Sequence, residues 1–367
     1  MKINKVGVLS IVYFFVLFIF ALLPKGLSDY NGYVLLFMAS VYLWLVRNVD
    51  VYRVSFLFSL VVFTFSLFQS PNFLFVVLDC AFIFYVIGSV YIGCCFPVKE
   101  REIRFIRLAC VFICLLSVLG IFNPIMYAGD EGDEFRYLGI FHGITSSACI
   151  FSMVSIVIWE LEKKEKRRLG ILVSLIVSFL IYMWAAGTRS LLFILPYWLY
   201  QLYTQRKTRI MVFVALGISL LYLSLFSEQI LEKFRLDENE ASLNTRSSLY
   251  LQIGMGILDN YVVIPHGSYT ATAVIRQFTG DSSYSPHNDI LKFIYEWGIL
   301  FFVFCIFLMV KIKKHVRLDL EFVLILVALI SCSLHNMLST VYLWIPFLFI
   351  LIARRRIDKN VYMKTKL

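Results

Sequence analysis

Long apolar segments that alternate with short polar ones limit what this chain can fold into more than any motif does. These segments repeatedly reach the length of about 17–25 residues that a helix needs to cross the hydrocarbon core of a bilayer. Only 16% of the residues are charged, against about 25% in soluble domains. The sequence therefore predicts an all-α, polytopic membrane protein in which residues 1–367 form a single transmembrane helical domain.

The apolar segments predict twelve spans. Their boundaries are 7–24, 30–46, 54–69, 73–96, 105–123, 138–159, 170–186, 190–204, 210–226, 289–310, 320–335 and 339–353. The first has a short basic start, as a signal peptide would, but Leu23, Pro24 and Lys25 do not form a small-residue cleavage site, so we interpret it as a span. Pro196 lies in the short eighth segment, where we expect a kink or an earlier start.

Lys and Arg residues are distributed unevenly between the loops on the two sides. Twenty-six of the 34 fall in one set of segments: 2–5, 47–53, 99–107, 163–168, 206–209, 311–317 and the tail from Arg354. By the positive-inside rule these segments face the cytoplasm, and twelve spans then place both termini there. Because the clusters are short and separated by apolar segments, the net charge of +10 does not indicate a nucleic-acid-binding surface.

The longest polar segment, residues 227–288, is predicted to be a large periplasmic loop between the ninth and tenth spans. Loops of this length are usually functional. In its helix-like stretch 244–257, Leu249, Ile253 and Ile257 share one face, so this amphipathic helix would lie on the membrane surface or cap the bundle.

Side chains that commonly bind metals are dispersed through the sequence. The acidic run 130–134 in another outer loop is interpreted as a solvated loop rather than a metal site. The eight cysteines lie in apolar segments, which favours neither a disulfide framework nor a zinc site. Four histidines lack metal-ligand spacing and are treated as structural: His142, His266, His315 and His335. No cofactor and no metal are predicted.

Several polar groups stand out as candidates for chemistry, each beside a structural alternative. Arg189 lies at the outer end of a hairpin, where it either snorkels to the surface or faces a site. Arg246 opens an amphipathic helix, where a solvated residue next to a helix cap is the alternative. His287 and Asn288 precede the tenth span, and a histidine there suits proton transfer near neutral pH, although the segment also suits a simple helix cap.

Two carboxyl groups, those of Glu296 and Asp79, lie inside predicted spans. Ionisable groups within a membrane are candidates for a functional site. The alternative for each is a buried, protonated acid that is held by hydrogen bonds.

The order of these short motifs resembles that of the bacterial O-antigen polymerase and O-antigen ligase superfamily. In chain order the motifs are GTRS (187–190), NTRSSLYLQIG (244–254), PHGSY (265–269), SPHND (285–289) and YEWGI (295–299). In place of the glycine-x-glycine turn after the proline, this chain has Gly267, Ser268 and Tyr269.

The resemblance implies a metal-independent glycosyltransferase of the bacterial inner membrane, which acts on glycans carried by undecaprenyl pyrophosphate. Arg189 and Arg246 would be catalytic and would clamp the pyrophosphate, because a guanidinium group matches phosphate geometry. His287 would act on the acceptor hydroxyl, with Asn288 and Glu296 as further substrate-binding residues. Expected partners are the lipid-linked oligosaccharide and membrane lipid; a chain-length regulator protein is one more to consider, and nucleic acid is not.

Within this family the interpretation favoured is an O-antigen polymerase, which joins repeat units at the periplasmic face. The alternative is an O-antigen ligase, which transfers the finished glycan to lipid A core. A transporter or lipid-glycan flippase is less favoured, because the sequence shows neither the repeated halves nor the broken helices of such proteins.

Overall fold

A computed structural model describes residues 5–22, 31–46, 48–128, 136–141, 144–163, 168–187, 191–192, 194–205, 251, 253–257, 265–279, 289–333 and 347–356. These residues are mainly helical. The helices are α1 (Lys5–Leu22), α2 (Asn31–Val46), α3 (Val49–Ser66), α4 (Phe73–Cys95), α5 (Glu100–Gly120), α6 (Ile144–Glu162), α7 (Arg168–Ala186), α8 (Leu195–Thr204), α9 (Thr270–Thr279), α10 (Asp289–Trp297), α11 (Ile299–His315) and α12 (Leu320–Ser333). Residues 253–257 and 347–356 are also helical.

Four of the described helices are long and apolar enough to cross a membrane: Val49–Ser66, Phe73–Cys95, Glu100–Gly120 and Leu169–Ala186. The pair α10 and α11 forms a fifth candidate, bent by 117°. Along α5, Leu108, Phe112, Leu115 and Leu119 form an exposed apolar stripe, as expected of a helix that faces lipid. The described residues therefore support a membrane protein with four or five such helices, and the twelve spans and their orientation stay predictions.

The chain divides into two compact units. The first comprises Met1–Ile106, Arg246–Arg317 and Ser333–Leu367, and the second comprises Arg107–Thr245 and Leu318–Cys332.

In the first unit, α4 packs against α1, α2, α3 and α11. Its middle is buried on most sides, which explains why this helix is apolar around its whole circumference. Tyr85 of α4 meets Tyr42 of α2 edge to face, with ring centroids 4.8 Å apart. At the carboxyl end of α4, the guanidinium group of Arg356 donates to the main-chain oxygens of Cys94 and Phe96, so these terminal carbonyl groups are paired.

In the second unit, α6 is buried on every side from Ser147 to Glu162. Its polar residues are paired within the unit. Trp159 donates to Gln201 of α8 at 2.7 Å, and Gln201 donates to Glu321 of α12 at 2.7 Å. Lys163, next to the end of α6, bonds Glu321 at 3.1 Å, so a polar network joins α6, α8 and α12.

A two-stranded ribbon flanks the acidic run 130–134, which itself lies outside the described residues. Strand β1 (Tyr127–Ala128) pairs antiparallel with β2 (Arg136–Tyr137). The Tyr137 hydroxyl donates to the carbonyl of Ser117 at 2.7 Å, and burial raises the pKa of this phenol. The sixth span starts later than the predicted residue 138, because residues 139–141 form a turn and α6 begins only at Ile144.

Two further expectations about helix breaks need correction. Pro196 lies in the first turn of α8, so it begins the helix rather than kinking it. The N–H groups of a first turn have no partner within the helix, so the missing N–H of proline costs nothing there. The predicted span 289–310 is not one continuous helix, since Gly298 separates α10 from α11 with a φ of 55°. The expectation that the chain contains no broken helix is wrong for the same reason.

Candidate functional site

The candidate site is built around the turn Pro265–Tyr269, which precedes α9 in the first unit. Gly267 and Tyr269 both have positive φ angles, of 88° and 66°. This conformation costs glycine little, but it is uncommon and strained for a residue as bulky as tyrosine. In the Gly-x-Tyr sequence of this turn, Tyr269 therefore adopts the left-handed conformation that a second glycine would provide without strain.

The end of α3 holds one side of the turn. The main-chain N–H of Ser268 donates to the Ser66 hydroxyl at 2.9 Å, and the hydroxyls of Ser66 and Ser268 lie 3.0 Å apart. With its nitrogen towards the turn, the Gln69 amide donates to the carbonyls of His266 and Pro265 at 2.7 and 3.0 Å. These bonds fix the turn from both its carbonyl and its N–H groups.

Helix α10 holds the other side of the turn. The N–H of Gly267 donates to the main-chain oxygen of Glu296 at 3.0 Å. The His266 ring stacks on the ring of Tyr295 with centroids 4.0 Å apart, and its Nδ1 lies 3.0 Å from the main-chain oxygen of Tyr295. The motif PHGSY is thus in direct contact with the first residues of the motif YEWGI.

Ring contacts stabilise the strained tyrosine of the turn. The ring of Tyr269 lies parallel to that of Phe75, in the first turn of α4, with centroids 3.6 Å apart. The guanidinium carbon of Arg276 lies 5.4 Å from the Tyr269 ring centroid, within the range of a cation–π interaction. Stacking of this kind contributes roughly 0.5–1.5 kcal/mol, comparable to the cost of one left-handed residue.

Two carboxyl groups lie behind the turn. Oδ2 of Asp79 accepts a hydrogen bond from the indole N–H of Trp297 at 2.9 Å, and the Ser268 hydroxyl also interacts with this carboxyl. The Glu296 side chain is 1% exposed. The main-chain N–H groups of Tyr269 and Ala271 face it, but neither carboxyl oxygen completes a hydrogen bond with a described residue.

The ammonium group of Lys292 lies near these two carboxyl groups and favours their charged forms. Lys292, one helical turn before Glu296 on α10, acts electrostatically on both carboxyl groups. A positive charge and two acids thus lie together at the base of the turn. Groups of this kind can bind hydroxyl groups of a ligand or exchange a proton with it.

The structure describes only part of the set predicted from the sequence. Arg189, Arg246, His287 and Asn288 lie outside the described residues. Glu296 is described, and in this conformation its carboxyl group faces the main chain of the turn. Its substrate-binding role stays a prediction.

The segments next to the undescribed residues are nevertheless defined. Helix α7 ends at Ala186, and Gly187 follows it with a φ of 56°, as is common after a helix end. Residues 253–257, in the stretch opened by Arg246, are helical and bury Ile253 and Ile257 against Ala271, Ile275 and Tyr295. Leu249, the third residue predicted on this face, lies outside the described residues.

Sequence reasoning missed the residues that hold the turn in place. Ser66 is the last residue of α3 and Gln69 lies in the turn that follows it, where a polar residue carries no specific signal. Trp297 lies within the motif YEWGI, but its bond to Asp79 spans 218 residues of chain, and a single sequence does not show such a pairing. One feature of the sequence indicated the positive φ of Tyr269: this residue stands where the glycine-x-glycine pattern has its second glycine.

Within the described part of the chain, no three His, Cys, Asp or Glu side chains lie together as metal ligands. Comparisons with models of protein families, with curated proteins and with solved structures find no match.

Proposed function

We propose that the protein is an O-antigen polymerase, which joins oligosaccharide repeat units carried on undecaprenyl pyrophosphate at the periplasmic face of the inner membrane. The bond between the growing glycan and its pyrophosphate carrier breaks. A hydroxyl oxygen of the incoming lipid-linked unit replaces the carrier and becomes the new glycosidic oxygen. The oxygen that bridges the sugar to the pyrophosphate departs with the carrier, so the donor is already activated and the reaction needs no nucleotide.

The observation that carries this proposal is the docking of the turn Pro265–Tyr269 against Tyr295 and Glu296. The motifs PHGSY and YEWGI, two of those on which the family resemblance rests, thereby form one structural feature. The end of the first and the start of the second are 26 positions apart in the chain. Helix α10 begins at Asp289, so His287 and Asn288 immediately precede the helix that supports the turn. Chemistry at this place requires a rigid support, which the bonds to α3 and α10 provide.

In this proposal the residues have separate roles. Arg189 and Arg246 bind the pyrophosphate and stabilise the charge that develops as the glycosidic bond breaks. His287 accepts the proton of the acceptor hydroxyl, for which its position before a helix amino end favours the neutral imidazole. Glu296 and Asn288 bind the glycan.

A lipid-glycan flippase is the second candidate, and the break at Gly298 favours it. Discontinuous helices are a common feature of transporters, where they line the substrate site. The bend of 117° between α10 and α11 is such a feature. An O-antigen ligase would use the same donor residues as the polymerase and differs from it in the acceptor.

Deletion of the gene distinguishes the three candidates by the glycan that remains. Loss of a polymerase leaves a single repeat unit on the surface lipid, because the ligase still acts. Loss of the ligase leaves bare lipid A core together with long glycans on the lipid carrier. Loss of a flippase leaves bare core and single lipid-linked units that stay on the cytoplasmic side. We expect the first result, and either of the others refutes the polymerase.

Complementation of the deletion tests the proposed base. His287→Ala should leave the single-unit phenotype at normal protein level, because removal of a general base costs roughly 10²–10⁴ in rate. His142→Ala, another histidine of the predicted outer side, serves as the control and should restore the full glycan ladder. A full ladder from His287→Ala would remove this histidine from the mechanism.

A further inference from the structure

A second polar pocket lies in the first unit, separate from the turn Pro265–Tyr269. It is a cavity of about 160 Å³ between the start of α3, the end of α4 and the end of α11. All three helices belong to the candidate membrane spans. A pocket at their ends therefore lies where the headgroups of the bilayer meet the protein.

The lining of the pocket carries charges of both signs. Lys311 and His315, one turn apart on α11, contribute cationic and hydrogen-bonding groups, and Asp50 contributes a carboxylate from the first turn of α3. Asp50 acts electrostatically on Tyr91, whereas Lys311 acts on Cys95, one helical turn further along α4. The opposite charges thus lie near successive turns of α4.

Polar groups between these charges are held in fixed positions. The Oδ1 atom of Asn48 accepts hydrogen bonds from the main-chain N–H groups of Asp50 and Val51 at 3.0 and 3.1 Å. Its Nδ2 donates to the Tyr91 hydroxyl at 2.7 Å. The pocket therefore has a preorganised polar wall, which lowers the entropic cost of binding.

The remaining wall of the pocket is apolar and continues into exposed apolar surface. Val51, Val54 and Phe307 line the pocket. Beyond it, Leu57 of α3 is 59% exposed and Ile306 of α11 is 63% exposed. A ligand with a polar head and a long apolar tail matches this arrangement, because its head contacts the polar wall and its tail contacts the apolar surface. A fully soluble ligand would make no contact with the apolar surface.

From this arrangement we propose that the pocket binds the headgroup of a phosphoethanolamine lipid, with the phosphate near Lys311 and His315 and the ammonium group near Asp50. Phosphatidylglycerol has no cationic group of its own to place against the Asp50 carboxylate. A phosphocholine lipid has no N–H with which to donate to that carboxylate. Lipid binding at this pocket is independent of the proposed enzymatic function.

The experiment measures lipid binding to the full-length protein. The protein is purified in detergent, stripped of lipid and titrated with dioleoyl phosphatidylethanolamine, phosphatidylglycerol or phosphatidylcholine, and bound lipid is counted by native mass spectrometry. We expect one tightly bound phosphatidylethanolamine, about fivefold tighter than the other two lipids, since one ionic contact at the membrane surface contributes about 1 kcal/mol. Equal affinities for the three lipids would refute the proposal.

Exposed residues allow the pocket to be altered without disturbing the core. Lys311→Gln should weaken phosphatidylethanolamine binding about fivefold, and Asp50→Asn should abolish the preference over phosphatidylglycerol. Lys313→Gln changes an exposed cation of the same helix end that does not line the pocket, and it should change nothing. An equal loss in Lys313→Gln would indicate general surface charge and overturn the site. Displacement of the lipid by soluble glycerophosphoethanolamine at equal concentration would show that the lipid tail is not recognised, and would also overturn it.

Discussion

The indole N–H of Trp297 donates to the carboxyl group of Asp79 over 2.9 Å, which ties the end of α10 to the first half of α4. Trp297 is 1% exposed, and Gly298 follows it at the break before α11. The bond therefore fixes the point at which the chain changes direction by 117°. The same carboxyl interacts with Ser268 of the turn, so the break and the turn share one acceptor.

Removing the donor of this bond should destabilise the first unit. Trp297→Phe removes the indole donor and leaves only Ser268 to hydrogen-bond Asp79, at a cost of about 1–3 kcal/mol. The double variant Asp79→Leu with Trp297→Phe removes both polar groups and should recover part of that loss, giving a coupling energy of roughly 1 kcal/mol or more. Thermal unfolding of the purified protein in detergent measures all four forms of the cycle. Strictly additive losses would show that the two side chains do not depend on each other.

The close approach of the turn to α3 should make Gly267 intolerant of a side chain. A Cβ at this position would lie 3.1 Å from the Ser66 Cα and from the Gln69 Cβ, and the φ of 88° is unfavourable for alanine. We expect Gly267→Ala to cost about 1–3 kcal/mol and to shorten the glycan in cells. Gly254→Ala is the matched control, because a Cβ there meets no atom of the described residues within 4 Å. A Gly267→Ala protein as stable as Gly254→Ala would contradict the described packing.

Three substitutions of Tyr269 separate its backbone strain from its ring contacts. Tyr269→Phe keeps the stacking on Phe75 and should be close to wild type in stability. Tyr269→Gly loses the stacking but relieves the strain of the positive φ, whereas Tyr269→Ala loses the stacking and keeps the strain. Alanine should therefore be less stable than glycine by about 1 kcal/mol, measured by thermal unfolding. The reverse order of glycine and alanine would show that the left-handed conformation is not maintained.

Composition predicted the class of this protein, because lipid-facing and buried helices both require apolar residues. It did not predict where helices stop. Helices α10 and α11 are together apolar enough for a single span, although α10 carries Lys292 and Glu296. Hydropathy therefore continues through the break, and only Gly298 itself marks the change of direction. At Pro196 the sequence signalled an irregularity, but the position of the helix start decided that the proline begins α8 rather than bending it.

The candidate site was predictable only where neighbours in the chain determine it. The face shared by Ile253 and Ile257 follows from their spacing of one helical turn, and both are buried. The bond between Ser66 and Ser268 joins residues 202 positions apart, and no local pattern encodes it. In the second unit, Lys163 and Glu321 pair across 158 positions, which no local pattern encodes either.

The predicted orientation can be tested with cysteines at two loop positions. Ser242→Cys, in the predicted periplasmic loop, should react with a membrane-impermeant thiol reagent in intact spheroplasts. Glu165→Cys, in a predicted cytoplasmic loop, should react only after permeabilisation. Both belong in a Cys95→Ser background, because Cys95 is an exposed free thiol at an end of α4 predicted to be cytoplasmic. Labelling in the opposite pattern would invert the orientation and move the candidate site to the cytoplasm.

The proposed pyrophosphate clamp predicts that lysine cannot replace either arginine. A guanidinium group binds two oxygens of a phosphate with two parallel N–H groups, whereas an ammonium group supplies a charge without that geometry. Arg189→Lys and Arg246→Lys should therefore each reduce glycan extension by about 10²-fold or more, as expected when a donor that stabilises developing charge is lost. Extension is measured from the length distribution of surface glycan at equal protein level in the membrane. Arg136→Lys, a conservative change at a cation of the same predicted side with no assigned role, should leave the distribution unchanged. Normal chains from Arg246→Lys would show that this residue contributes charge alone, and normal chains from Arg246→Ala would identify it as a solvated residue at a helix start.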